Sequence, residues 1–144
     1  MKEFEKDYAA FEEINNRYHE DLNEEAKEAI RADYKVWADG IEAKGRTYAD
    51  TFRIYKDARE NGNSRPNIAE PHQTRDVPAL IQTFRNNGIE EFTYSSTWSS
   101  AVEIGWEFLQ NGCELAGMVE VYNGFTKFMS DEKETAPAYL FRIK

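Results

Sequence analysis

Ser95-Ser96-Thr97-Trp98-Ser99-Ser100 places five hydroxyls and an indole in one short stretch ahead of an apolar helical pattern. A helix N-terminus with free N–H groups attracts anions, so this stretch is the candidate turn for a small anionic ligand. Turn formation and helix capping use the same residue types. No glycine-rich phosphate loop and no basic residue accompany the cluster, and the sequence favours the turn over the ligand site. Glu103 and Glu107 lie one helical turn apart, as an acid–base carboxylate pair would. A solvated stripe has the same spacing, and no catalytic residue is assigned. His19 and His72 have no Cys, His or Asp at metal-ligand spacing, so no metal site and no cofactor is expected. Cys113 follows a helix stop without a nearby base, which reads as a small buried hydrophobe rather than a nucleophile. Trp106 reads as core, and Trp98, at the mouth of the same helix, as an exposed aromatic anchor.

From Asn86 to Thr126 the chain has no Lys or Arg, yet it carries Glu90, Glu91, Glu103, Glu107, Glu114 and Glu120. These carboxylates and Trp98 are the expected partner-binding residues, for a protein partner with a basic surface. The net charge of −9 argues against direct nucleic-acid binding, whose affinity comes from Lys and Arg neutralising phosphates. Anionic membranes are disfavoured for the same reason.

The elements that must position these groups fall into two parts. Residues 1–62 read as amphipathic helices. Phe4, Tyr8, Phe11 and Tyr18 mark the first, Asn23 caps a second and Thr47 a third that stops at Gly62. Residues 63–75 read as a loop. In residues 76–144, Asp76 and Pro78 open a helix. A strand follows over 89–94, and Ser100 with Glu103 suggests a capping box for a helix over 101–111. That helix is apolar around most of its girth. It is expected to be covered by a sheet on one side and by the N-terminal helices on the other. Residues 113–122 alternate, with Cys113, Leu115, Gly117, Val119 and Val121 on one face and Glu114, Ala116, Met118 and Glu120 on the other. Asn123-Gly124 signals a hairpin returning over 125–129, and 138–143 a last strand. Strand 89–95, the helix and strand 113–122 suit a parallel right-handed crossover. The expected fold is α+β: N-terminal amphipathic helices packed on a C-terminal α-β-α-β-β-β mixed-sheet unit, in a single domain over 1–144.

The 144 residues, 40% of them hydrophobic and 14% aromatic, suffice for a real core and exclude a disordered chain. No apolar run is long enough to cross a membrane, and the charged start lacks a signal-peptide pattern. One cysteine rules out an internal disulfide and fits a cytoplasmic location.

Four segments carry a resemblance: Tyr8-Ala-Ala-Phe-Glu-Glu-Ile-Asn, Phe92-Thr-Tyr-Ser-Ser-Thr-Trp-Ser, Gly112-Cys-Glu-Leu-Ala-Gly-Met-Val-Glu and Phe128-Met-Ser-Asp-Glu. Together they resemble a small domain family of bacterial mobile elements that has no assigned activity. The resemblance implies an accessory protein of a plasmid, phage or conjugative element. By analogy of size and charge it implies an anti-defence role of the anti-CRISPR kind. The expected function is therefore an acidic protein-interaction module that inhibits or assists a nucleic-acid-binding partner. Two alternatives stand beside it: a small-molecule binder or enzyme using the Ser95–Ser100 turn, and a helical module that self-associates as a homodimer.

Overall fold

The structure, a computed structural model, describes residues 2–69 and 71–144. Met1 of the expected helical part and Glu70 of the expected loop lie outside it. The chain folds as α1 (Glu3–Arg17), α2 (Glu24–Ala43), α3 (Arg46–Asn61), β1 (Asn67–Ile68), a 3-10 turn (Pro71–Thr74), α4 (Val77–Asn86), β2 (Glu91–Tyr94), α5 (Ala101–Gln110), β3 (Cys113–Thr126) and β4 (Lys133–Ile143). The fold is α+β, with helices towards the N-terminus and a mixed four-stranded sheet towards the C-terminus.

Local chemistry sets most helix ends. The Asn23 side chain accepts a bond from the Ala26 amide at 2.8 Å and opens α2. Asp76 does the same for the Ala79 amide at 3.1 Å, with proline in the first turn of α4. Gly62 ends α3 as expected. Thr47 does not cap that helix. The helix begins at Arg46, after Gly45, two residues earlier than a Thr47 cap would place it.

The expected loop over 63–75 holds β1 and the 3-10 turn. β1 pairs in parallel with β2, a ladder too short to leave a sequence pattern. The strand order is β1-β2-β4-β3. β2 and β3 are both antiparallel to β4 and so run parallel to each other. The expected crossover through α5 is therefore present in direction, but β4 lies between its two strands.

Asn123-Gly124 does not make the hairpin. The Asn123 side chain accepts from the Phe125 amide at 3.0 Å, a local turn that disturbs the ladder without reversing the chain. β3 continues to Thr126, and reversal occurs over residues 127–132, closed by the Lys127 amide on the Glu132 carbonyl at 2.8 Å. One long strand, β3, thus replaces the two strands expected over 113–129, and the C-terminal unit has one strand fewer than α-β-α-β-β-β.

One buried cluster runs from Phe4 and Phe52 in the helices through Leu80 and Phe84 to Phe92, Phe108 and Phe141. Phe4 packs edge-on against Tyr48 and Phe52, tying α1 to α3. Phe108 lies 5.0 Å from Phe92, 5.4 Å from Tyr94 and 5.1 Å from Phe141, tying α5 to the sheet.

Candidate functional site: an apolar groove beside an edge strand

α5 has three stripes rather than two. Ala101, Ile104 and Phe108 face the core. Glu103, Glu107 and Gln110 form the polar stripe. Between them Val102, Trp106 and Leu109 recur at helical spacing and face outwards, Val102 83% and Trp106 62% exposed. The expectation that Trp106 is core and that the N-terminal helices cover α5 is overturned. Those helices pack on one another and on α4, and α5 lies mainly on the sheet. One residue in three or four contacts the sheet, and the rest of an apolar helix is left in water.

The outward stripe forms a wall. Val102, Gly105, Trp106 and Leu109 line an open groove of ≈ 310 Å³ whose floor is Leu115, Tyr139 and Phe141. Why Leu115 lies there follows from β3. Leu115 pairs with Phe141 and Gly117 with Leu140, so one extra residue is inserted around Ala116. Gly117 takes φ 149°, a backbone state that suits glycine at this bulge. An odd insertion exchanges the faces beyond it. Leu115 shares a face with Phe141, and past the bulge that face carries Met118, opposite Tyr139, and Glu120, opposite Pro137. The expected alternation of residues 113–122 is therefore wrong across the bulge. Leu115 parts from Val119 and Val121, and Glu114 parts from Glu120.

β3 is also an edge strand, and its outer rim can be read residue by residue. The Asn63 side chain donates to the Tyr122 carbonyl at 2.9 Å and accepts from the Tyr122 amide at 3.4 Å. Both backbone groups of Tyr122 therefore point away from β4. Two residues back, Glu120 faces Pro137, which has no N–H to offer. Residues 118, 120 and 122 thus turn their backbone groups to the rim, where Asn63 covers only Tyr122.

The carboxylates expected to act together are divided. Glu91 and Glu114 flank Arg142 of the central β4 at 3.7 and 3.2 Å. Arg65 reaches Glu91 at 2.7 Å, and Lys144 reaches Glu114 at 3.0 Å. The Arg65 bond holds the Glu91 carboxyl below its ordinary range, and the Lys144 bond does the same for Glu114. These two are structural ion pairs on the face opposite the groove. Glu103, Glu107 and Glu120 are exposed, with no ion pair among the described residues. Glu90 is exposed beside a different cleft.

The serine turn is occupied by its own contacts. Ser95 accepts from Asn67 at 3.2 Å, and the Ser96 hydroxyl accepts from the Trp98 amide at 3.1 Å. Thr97, Ser99 and Ser100 are exposed, and Ser100 makes no side-chain cap, so the expected box with Glu103 does not form. Trp98 is 60% exposed just before α5. A roomier cleft of ≈ 470 Å³ lies between α3 and the segment before β2, away from Trp98. Its Arg65 and Glu91 already neutralise each other, and Arg59 stacks 4.6 Å from the Tyr8 ring centroid. His19 and His72 are exposed. Cys113 is buried, and burial pushes its thiol up to about 11. No cluster of three His, Cys, Asp or Glu fit to hold a metal occurs among the described residues. Among them no helix is long and apolar enough to cross a membrane.

What sequence reasoning missed is the groove and the free edge. The spacing of Val102, Trp106 and Leu109 was available as a second apolar stripe. The bulge was signalled only by a glycine within a strand pattern.

An α+β chain with this groove on a mixed sheet belongs to a class defined by architecture rather than by chemistry. Residues 50–143 match the family described as a domain of unknown function, DUF7698, and the chain belongs to that family. No match was found among curated proteins or among solved structures.

Proposed function

We propose that this protein is a binding module for another protein and that it docks through the groove between α5 and the β3–β4 ladder. The second stripe of α5 carries this reading. Phe108 and its neighbours already fix the helix to the sheet, so Val102, Trp106 and Leu109 contribute less to folding than their size allows. Contiguous apolar surface of this kind marks an interaction site. Covering such side chains stabilises a complex by roughly 1.5–3 kcal/mol each, before ordering costs.

The partner is one with an apolar ridge flanked by Lys and Arg. Glu120 lies on the groove side of β3, and Glu103 is one helical turn from Trp106, at the outer rim of the α5 wall. No basic residue of the 86–126 segment opposes them. A protein that uses its Lys and Arg to hold nucleic acid fits this description. The module then acts as an inhibitor or accessory factor at that surface, an anti-defence role in keeping with the resemblance to mobile-element proteins.

The test begins with affinity capture from the native host and identification of the partner by mass spectrometry. Binding of the purified pair is then measured against salt. Trp106→Ala should raise Kd at least tenfold. The combined Glu103→Gln and Glu120→Gln variant should associate more slowly and lose salt dependence, because exposed charges chiefly steer encounter. Affinity indifferent to both variants and flat in salt would remove this groove as the interface.

A further inference from the structure

We infer that the partner enters the groove as an extended segment that adds a strand to the free edge of β3. This rests on the docking face proposed above and names the form its occupant takes. β3 is the outer strand; it has no Lys, Arg or Pro along Cys113–Thr126, and its irregularities flank the regular stretch from Met118 to Tyr122 rather than interrupt it. The opposite edge is the two-residue β1, too short to template a strand. Tyr122 shows how the rim can be satisfied: the Asn63 amide pairs with both its backbone groups as a neighbouring strand would. Met118 and Glu120 present the same pattern with their rim side uncovered. An added strand would run along Met118 and Glu120 and end against Asn63.

The side chains of that strand are specified by what lies beside it. The groove-side face of β3 at this point is Leu115, Met118 and Glu120, with Trp106 and Tyr139 beyond. Alternate residues of the added strand project to this face. The segment that fits has Val, Leu or similar residues at alternate positions, with Lys or Arg where it passes Glu120. A second copy of this chain fits poorly. It would bring its own Glu120 to the same edge, and its segment 86–126 has no cation to offset it.

A short synthetic peptide, Val or Leu alternating with Thr and ended in Lys and Arg, tests this with the full chain. Three forms are compared: the parent, one N-methylated on the edge that would face β3, and one N-methylated on the other edge. Amide exchange of the protein is followed by NMR. The expected result is at least tenfold weaker binding for one methylated form only, with new protection at the Met118 and Glu120 amides. Equal binding of both methylated forms, or no new protection at these amides, overturns strand addition. The groove reading survives that result if Trp106→Ala still weakens binding. A captured partner that responds to Trp106→Ala while the peptide does not bind has the same consequence. A free protein that sediments as a dimer with those amides already protected assigns the edge to a second copy and also overturns the inference.

Discussion

Replacing Phe108 by Ala and Trp106 by Ala should have opposite consequences, although the residues are two apart on one helix. Phe108 is fully buried and touches three rings at 5.0–5.4 Å. Its truncation loses the transfer free energy and leaves a cavity, about 3–5 kcal/mol together. Trp106 hides little more than a third of its surface. Full burial of such a ring covers roughly 150–250 Å². A third of that, at ~25 cal/mol per Å², gives about 1–2 kcal/mol as an upper bound. Urea melts read by far-ultraviolet circular dichroism should therefore show Phe108→Ala losing at least twice as much as Trp106→Ala, with similar slopes. Phe108→Leu, which keeps most of the volume, should fall between wild type and Phe108→Ala and stay measurable if the Ala variant does not fold. Trp106→Ala should then be the variant that loses partner affinity. Equal losses of stability would mean that α5 is rotated from the orientation described here, and the groove would no longer exist.

Three further outcomes are expected. Cys113 should react with a thiol reagent at pH 8 far more slowly in the native protein than in urea, since its burial raises the thiol to about 11. Rapid native labelling at one equivalent would contradict that burial. Glu91 and Glu114 have folded values depressed below the ordinary 4.5, so their contribution is present above that pH and lost as pH falls through the lower folded values. Arg142→Gln should accordingly destabilise at pH 7, and its gap from wild type should close in acid melts. A gap that persists at pH 2 would show that Arg142 acts by packing alone. A chain truncated to begin at Arg75 should fail to melt cooperatively, because α3 supplies Ala49, Phe52, Ile54 and Ala58 to the core. A soluble fragment with a sharp transition would refute it.

Helices with polar starts and glycine stops were legible in the sequence because caps are local. Asn23, Asp76 and Gly62 act within a few residues of themselves. The sheet was less legible, because pairing is non-local. Nothing near Asn67 indicates that β2 will accept it, and β4 comes to lie between β2 and β3 only because the last strand returns to the centre. The Asn123-Gly124 signal was real as turn chemistry and wrong as chain reversal, since the strand had a partner on both sides of it to resume with. Trp106 was placed in the core on composition. Composition cannot say how many sides of a helix the rest of the chain has material to cover.

The same distinction governs the charge. A segment without Lys or Arg is not a surface without them. Antiparallel pairing sets Arg142 between Glu91 and Glu114, and Lys144 and Arg65 complete those pairs from outside the segment. The bulge near Ala116 then decides which carboxylates remain free on the groove side. Without the inserted residue, Glu114 and Glu120 would share a face, and Leu115 would lie with Val119 on the other. With it, Glu114 goes to Arg142, and Leu115, Met118 and Glu120 line up beside Trp106. One extra residue in β3 thus separates two carboxylates that would share a face, leaving one neutralised by Arg142 and the other unpaired at the edge of the Leu115–Met118 face. That face adjoins the rim where the Met118 and Glu120 backbone groups are open to a partner. Charge, apolar surface and backbone valence meet there, and each calls for a different part of one extended basic segment.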